Sequence, residues 1–251
     1  MRVLLLSDIH ANIEALEAVL SQSPPSTYDQ LLVLGDLVGY GASPNEVVDR
    51  IFSLAPDALI RGNHDKVAAG IEQPLHFNEV AAEAARWTFS TLTESNRARI
   101  AALPEGPIQV NADVEICHGT PFDEDVYVFD TDDARRSLTS ATARVCFFGH
   151  THLPVAFSLA PSTSHLGVVA PEPGAPSPTV VTLAPDSQHL INPGSIGQPR
   201  DGDPRAAYAI YDTSAHHIEL RRVPYRVDLA QEQIVAAGLP EVLARRLGVG
   251  R

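Results

Sequence analysis

The segment "VLLLSDIH", residues 3–10, sets four apolar residues against an abrupt polar stop, and the same grammar recurs four times along the chain. The recurrences are "LLVLGDLVGYG" (31–41), "DALIRGNHD" (57–65), "VEICHGT" (114–120) and "VCFFGHTH" (145–152). Short apolar runs bounded by Gly, Ser, Asp or Asn read as strands buried on both faces. Between the first two lies "NIEALEAVLSQ" (12–22), which puts Ile13, Leu16, Val19 and Leu20 on one helical face. Between the second and third lies "SPNEVVDRIFSLA" (43–55), where Ser43 is a candidate N-cap and Pro44 suits the first turn. This βαβαβ order implies an α/β sheet with helices on its faces.

Further out the character changes twice. Residues 66–103 are Ala-rich and predict two helices broken near Thr93, a segment that follows the "GNHD" turn and is expected to overhang it as a cap. Beyond 154 the chain is rich in Val, Thr, Ser and Pro. Strands are expected around 154–160, 165–170, 179–184 and 207–222, forming a second sheet, with "PEPGAPSP" (171–178) as a loop. "VDLAQEQIVAAGLPEVLARRL" (227–247) predicts two short helices. No repeat of fixed period and no linker divides the sequence, so one domain over 1–251 is the economical reading.

Composition excludes several classes. The 251 residues are 44% hydrophobic and carry a net charge of −13, which suits a globular chain and opposes binding to long nucleic acid, where Lys and Arg must neutralise phosphates. The apolar run at the N-terminus is too short for a signal peptide, and no later segment is apolar enough to span a bilayer. Cys117 and Cys146 sit within apolar runs and read as buried thiols rather than a disulfide framework. A soluble, cytoplasmic protein is expected, and the apolar region 164–184 is a candidate edge for a homo-oligomer.

Chemistry enters where the runs stop. In open α/β sheets, ligands gather outside the carboxyl ends of strands. Asp8 and His10, Asp36, Asn63 and His64, His118, then His150 and His152 all fall at such ends. Singly, each has an ordinary explanation, such as a helix cap or a turn histidine. Jointly, unrelated turns have no reason to collect, besides His64, four histidines, two aspartates and an asparagine. Histidine nitrogen with carboxylate and amide oxygen, and no thiolate, suits Mn²⁺, Fe, Co, Ni or Zn²⁺ in a working site. Seven donors exceed one tetrahedral ion. Two ions sharing a bridging carboxylate would use them all and leave room for water, the arrangement of a dinuclear hydrolase.

The ordered set "SDIH" (7–10), "GD" (35–36), "GNHD" (62–65), "HG" (118–119) and "GHTH" (149–152) resembles the calcineurin-like metallophosphoesterases. The longer text "GDLVGYGASPNEVV" and "INPGSIGQPRDGDPRAAYAIYD" is similar to their small bacterial, phosphodiesterase-like branch. The resemblance implies a four-layer α/β/β/α sandwich of two mixed sheets flanked by helices. It implies that Asp8, His10 and His152 hold one divalent metal, that Asp36 bridges to a second, and that Asn63, His118 and His150 complete it, with Mn preferred. Hydrolysis of a small or nucleotide phosphodiester by a metal-bridging hydroxide follows, with His64 facing the substrate. The other readings are a phosphomonoesterase, a dinucleotide polyphosphate hydrolase, or a non-catalytic metal-binding scaffold.

His150 and His152 are expected to converge because alternate residues of an extended segment point the same way. The protein Ser/Thr phosphatases of this superfamily carry Asp and Arg in "GDxxDRG", where this chain has Gly39 and Tyr40. Asp65 is therefore the expected partner orienting His64. "NPGSIGQPRDGDPR" (192–205) is either a tight connection between sheets or a loop offering N–H groups and a cation to phosphate. Arg200 is the residue there expected to touch substrate.

Overall fold

The structure is a computed structural model describing residues 1–160 and 165–251. Two six-stranded mixed sheets are stacked face to face. In the first, β1 (Arg2–Leu6) runs parallel to β2 (Gln30–Val33), which runs parallel to β3 (Ala58–Leu59). On the other side of β1 the antiparallel strands β11 (Ala206–Asp212), β12 (His217–Val223) and β9 (Thr179–Thr182) follow in order. The second sheet runs β4 (Ile108–Gln109), β5 (Val114–Ile116), β6 (Val145–Phe147), β10 (Gln188–Asn192), β7 (Val155–Ala160) and β8 (His165–Val169). Residue 164 of the candidate oligomer edge lies outside the described residues.

The run at 3–6 is apolar throughout because both faces of β1 are covered. Val3 and Leu5 pack between the sheets against Val114, Ile116, Val145, Phe147 and Ile191. Leu4 and Leu6 point outwards against Leu16 and Val19 of α1 (Ile13–Gln22) and Val47, Val48 and Ile51 of α2 (Pro44–Ser53). Outside the second sheet, Cys146, Phe148 and Leu190 pack on Ala134 and Leu138 of α6 (Thr131–Ser140). The four-layer α/β/β/α order follows. Truncating a residue such as Leu5 to Ala would cost about 2–5 kcal/mol, since no neighbour can collapse into the gap between two sheets.

The helices start where their caps allow. Asn12 accepts a hydrogen bond from Ala15 N, and Thr93 from Asn96 N, so the break between α4 (Glu79–Thr91) and α5 (Glu94–Ala101) falls at Thr93 as expected. Ser43 precedes α2, but its hydroxyl donates to Gln233 Oε1 (3.0 Å) on α7 (Val227–Ala236) instead of capping. The last helix is α8 (Glu241–Leu247). The strands β4 and β10, the helix α6, and α3 (Asn63–Ala69), which begins at the "GNHD" turn itself, escape the sequence reading, and β9, β11 and β12, expected in a second sheet, instead extend the first beside β1. Cys117 and Cys146 are buried free thiols with sulfurs 3.6 Å apart. Among the described residues no helix is long and apolar enough to cross a membrane.

Candidate metal centre

The carboxyl ends of β1, β2, β5 and β6 meet along one edge where the two sheets come together. Two groups of side chains converge there, Asp8, His10, Asp36 and His152 in one, Asp36, His118 and His150 in the other. In each, the donor atoms lie within 4.8 Å of one another, and Asp36 belongs to both. Asn63, at the first turn of α3, adjoins the second group, its Oδ1 3.3 Å from His118 Nε2.

Each of the four histidines is oriented by a backbone carbonyl. Nδ1 of His10, His118 and His152 lies 3.1, 2.8 and 2.6 Å from the carbonyl oxygens of Val38, Leu34 and Gln198. A carbonyl only accepts, so these rings carry hydrogen on Nδ1 and turn Nε2 inwards, as a lone pair on His10 and His152 and on His118 once that ring is neutral. His150 is reversed: Nε2 meets the Asp125 carbonyl at 3.1 Å and Nδ1 is left as the donor atom.

The geometry calls for a cation. Nε2 of His10 and Nε2 of His152 are 3.0 Å apart, two lone pairs aimed at one another. Burial holds both rings well below the ordinary histidine pKa, so a proton does not relieve the contact. Asp36 Oδ2 is buried and accepts no hydrogen bond, although His118 Nε2 and His10 Nε2 are only 3.4 and 3.6 Å away. Burial works to lower the His118 pKa, yet the Asp36 carboxylate prevails and lifts it to about 10. Burial raises Asp8 to about 6. Buried carboxylates thus rely on one imidazolium for charge balance where divalent ions would serve better.

The loops bend hard to bring these groups in. Asp8, His10, Asp36, His150 and His152 all have φ between 48° and 66°, the left-handed region that non-glycine residues avoid. His150 and His152 therefore converge through two left-handed residues and not along an extended segment, though they do divide between the two groups. The strain is held by a web of contacts. Asp8 accepts from Ser7 Oγ (2.6 Å) and His150 N (3.1 Å), while Asn192 Nδ2 ties Gly149 O (2.7 Å) to Thr151 Oγ1 (3.0 Å).

The loop 192–205 proves to be a brace. Ile196 N and Gly197 N bond to the carbonyls of Ser7 and Asp8, Ser195 Oγ bonds to Asp8 O, and Gln198 O orients His152. A Cβ on Gly197 would meet Ile9 O at 1.8 Å, so only glycine permits this approach. These N–H groups are spent on the Asp8 loop and are not offered to phosphate. Arg200 lies beside the centre, with Nη2 3.4 Å from Tyr40 Oη and 3.1 Å from Gln198 Oε1. Its Nε is buried without a partner.

His64 is buried beside the centre, its ring 4.3 Å from Tyr40, 4.6 Å from Phe77 and 5.0 Å from His10. Burial lowers its pKa to about 4, and Nδ1 has no hydrogen-bond partner. Asp65 does not orient it. The Asp65 carboxylate accepts from the backbone N–H groups of Leu37, Val38 and Gly62, binding the Asp36 loop to the start of α3. A side chain at position 39 would collide with His64, since a Cβ there would lie 2.5 Å from Nδ1. The glycine that replaces the phosphatase aspartate is thus required by where this histidine rests.

Tyr127 was not anticipated. Its ring stacks on His150 at 3.7 Å, and with Asn63, His76, Phe77 and Asp125 it lines a cleft of about 250 Å³ beside the second group. Only structure could find it, because an isolated tyrosine in a loop carries no spacing signal.

These features are those of a metal-dependent phosphoesterase, and the relatives agree. Residues 1–216 match the calcineurin-like phosphoesterase superfamily domain, and the chain belongs to that superfamily. It is 35% identical to an uncharacterized protein of Methanocaldococcus jannaschii, covering 99% of this chain and 98% of the other. It is similar to the crystal structure of a metallophosphoesterase from Sphaerobacter thermophilus, with 37% identity, TM-score 0.87, and coverage of 100% and 99%. A hypothetical protein from Pyrococcus horikoshii shares the fold, with 19% identity, TM-score 0.79, and coverage of 100% and 98%.

Proposed function

We propose that this protein hydrolyses phosphodiesters of small or nucleotide type at a two-cation centre, with Mn²⁺ the favoured metal and Fe, Co, Ni or Zn²⁺ as substitutes. One cation would rest on Asp8, His10, Asp36 and His152, the other on Asp36, Asn63, His118 and His150. The observation that carries this reading is Asp36 Oδ2, a buried oxygen without a hydrogen bond that belongs to both donor groups. When bound, the cations would supply an activated water and neutralise charge on the phosphoryl oxygens.

The chain's own groups supply the rest. His64, with its unpartnered Nδ1 and a ring that burial keeps neutral, donates a hydrogen bond to a phosphoryl oxygen. Arg200, which spends no charge on a carboxylate among its hydrogen bonds, holds the phosphate. Within a single domain over 1–251, the part of 66–103 that acts as a cap is the turn leading to α4, which brings His76 and Phe77 over the cleft. Two unpaired thiols fit a reducing cytoplasm.

The test compares metal-stripped and Mn²⁺-reconstituted protein on bis-p-nitrophenyl phosphate and p-nitrophenyl phosphate, with His64→Ala alongside. Diesterase turnover that requires Mn²⁺ and drops by about 10²–10⁴ in the variant supports the reading. Preference for the monoester would replace the phosphodiester assignment with a phosphatase.

A further inference from the structure

Three rings run outwards from the second donor group in one stack. Tyr127 lies on His150 with centroids 3.7 Å apart and planes 22° from parallel. Phe129 lies on Tyr127 at 4.8 Å and 10°. Phe129 closes the stack and is 68% exposed, far more than any other aromatic residue among the exposed hydrophobic side chains. A large, mostly exposed apolar ring stacked beside an active centre calls for an explanation.

Phe129 also lines a cleft of about 340 Å³, with a floor of Leu153, Pro154 and Val168 and with Thr151, the residue between His150 and His152, at its inner end. Among the described residues no Lys or Arg lines this cleft. Its charged residues are Asp130, which caps α6, and Asp201, which pairs with Arg222. The chemistry is the reverse of the Arg200 side of the centre. An uncharged, flat, apolar group is welcome, and a second phosphate is not.

Resting on the phosphodiester reading above, we infer that Phe129 is the platform on which a planar aromatic substituent of the substrate, an aryl group or a nucleobase, stacks while its phosphate lies at the centre. The substrate class narrows accordingly to aryl or nucleoside phosphodiesters. Chains of several phosphates are disfavoured on this side, because their charge would enter an apolar cleft without a cation. A stacked ring adds affinity without sequence or sugar selectivity, since every base presents a π-face.

Non-hydrolysable phosphonates isolate this contact. Binding of 4-phenylbutylphosphonate, the phenyl compound, whose chain lets its ring reach Phe129 from the centre, and of methylphosphonate to the Mn²⁺-loaded protein is measured by calorimetry for the wild type, Phe129→Ala and Phe129→Trp. The wild type should bind the phenyl compound about tenfold more tightly than the methyl one. Phe129→Ala should reduce that ratio to near one with methylphosphonate affinity unchanged, and Phe129→Trp should restore it. An equal ratio in wild type and Phe129→Ala would overturn the platform. So would a wild-type ratio near one. If Mn²⁺-loaded protein binds neither phosphonate and turns over no diester, the reading beneath has failed, and the platform falls with it.

Discussion

Around His10 and His152 every orienting contact comes from backbone that is itself pinned. Val38 O and Gln198 O hold the two rings, Asp8 N and His10 N bond to Gly35 O and Asp36 O, and the 195–198 brace closes over the Asp8 loop. Around His150 the support is looser in kind. Its ring rests on Asp125 O and Tyr127, in a loop fastened by ion pairs: Lys66 Nζ reaches Asp125 (2.6 Å), Glu124 (3.1 Å) and Glu72 (3.1 Å), and Arg61 reaches Glu124 (2.9 Å). The cleft opens on this second half, beside Asn63 and His150. One half of the centre is an anchor made of strand ends, and the other includes a wall fastened by side-chain ion pairs, beside which a cleft opens.

If the halves are joined by one oxygen, its loss should be the most damaging change available. Asp36→Asn should lower bound Mn²⁺ from two ions per chain to one or none and reduce turnover by about 10³ or more, since a cation at a developing charge is worth several kcal/mol. Metal counting by mass spectrometry of the intact protein provides the check. Two tightly held ions and near-normal turnover would show that the halves do not share Asp36.

The second test asks whether the wall can be loosened alone. Lys66 lies one turn along α3 from Asn63 and grips the loop whose Asp125 carbonyl orients His150, so it links the helix that carries Asn63 to the support of His150. Its three carboxylate neighbours more than offset burial and keep its pKa above the usual lysine value. Lys66→Met should weaken one of the two Mn²⁺ sites by about 10–100-fold and leave the other intact, as loss of an orienting partner does elsewhere. Lys66→Arg should retain most of the affinity. Equal weakening of both sites, or a lower Tm with unchanged metal binding, would reduce Lys66 to a structural ion pair.

What could be read beforehand follows the same division. The strand ends were legible because an apolar run must stop where chain leaves the sheets, and the stop residues announce themselves as Asp, His and Asn. The groups that orient them were not, because Val38, Leu34, Gln198 and Asp125 act through carbonyls that every residue carries. The left-handed turns at His150 and His152 were hidden for a related reason: tertiary contacts impose a conformation these residue types do not favour. The strand β10 escaped because "QHLIN" is short and runs into a Pro-Gly turn, so it reads as the edge of a loop. Asp65 misled because adjacency to His64 in sequence says nothing of direction at a helix start. Its carboxylate turns back on three N–H groups.

The smallest expected effect concerns acid. Burial would raise the Glu124 pKa, but Arg61 and Lys66 overcome it and hold the carboxyl below the usual range. A carboxylate whose folded pKa is depressed stabilises the fold fully above its unfolded value, near ~4.3, and loses that contribution as pH falls through the folded value. In metal-free protein, the Tm advantage of wild type over Glu124→Gln should be present at pH 7 and close below about pH 4. The loss should also be local. Amide protection over residues 123–127, relative to the intrinsic exchange rate at each pH, should fall in the acid range, while the amides of Asp8 and His10, bonded to Gly35 O and Asp36 O, stay protected. A Tm gap that keeps its pH 7 size as pH falls through the acid range would mean that Glu124 works by shape rather than charge. Simultaneous loss of protection in both loops would mean that anchor and wall are one cooperative unit, and the contrast between the two halves would not survive it.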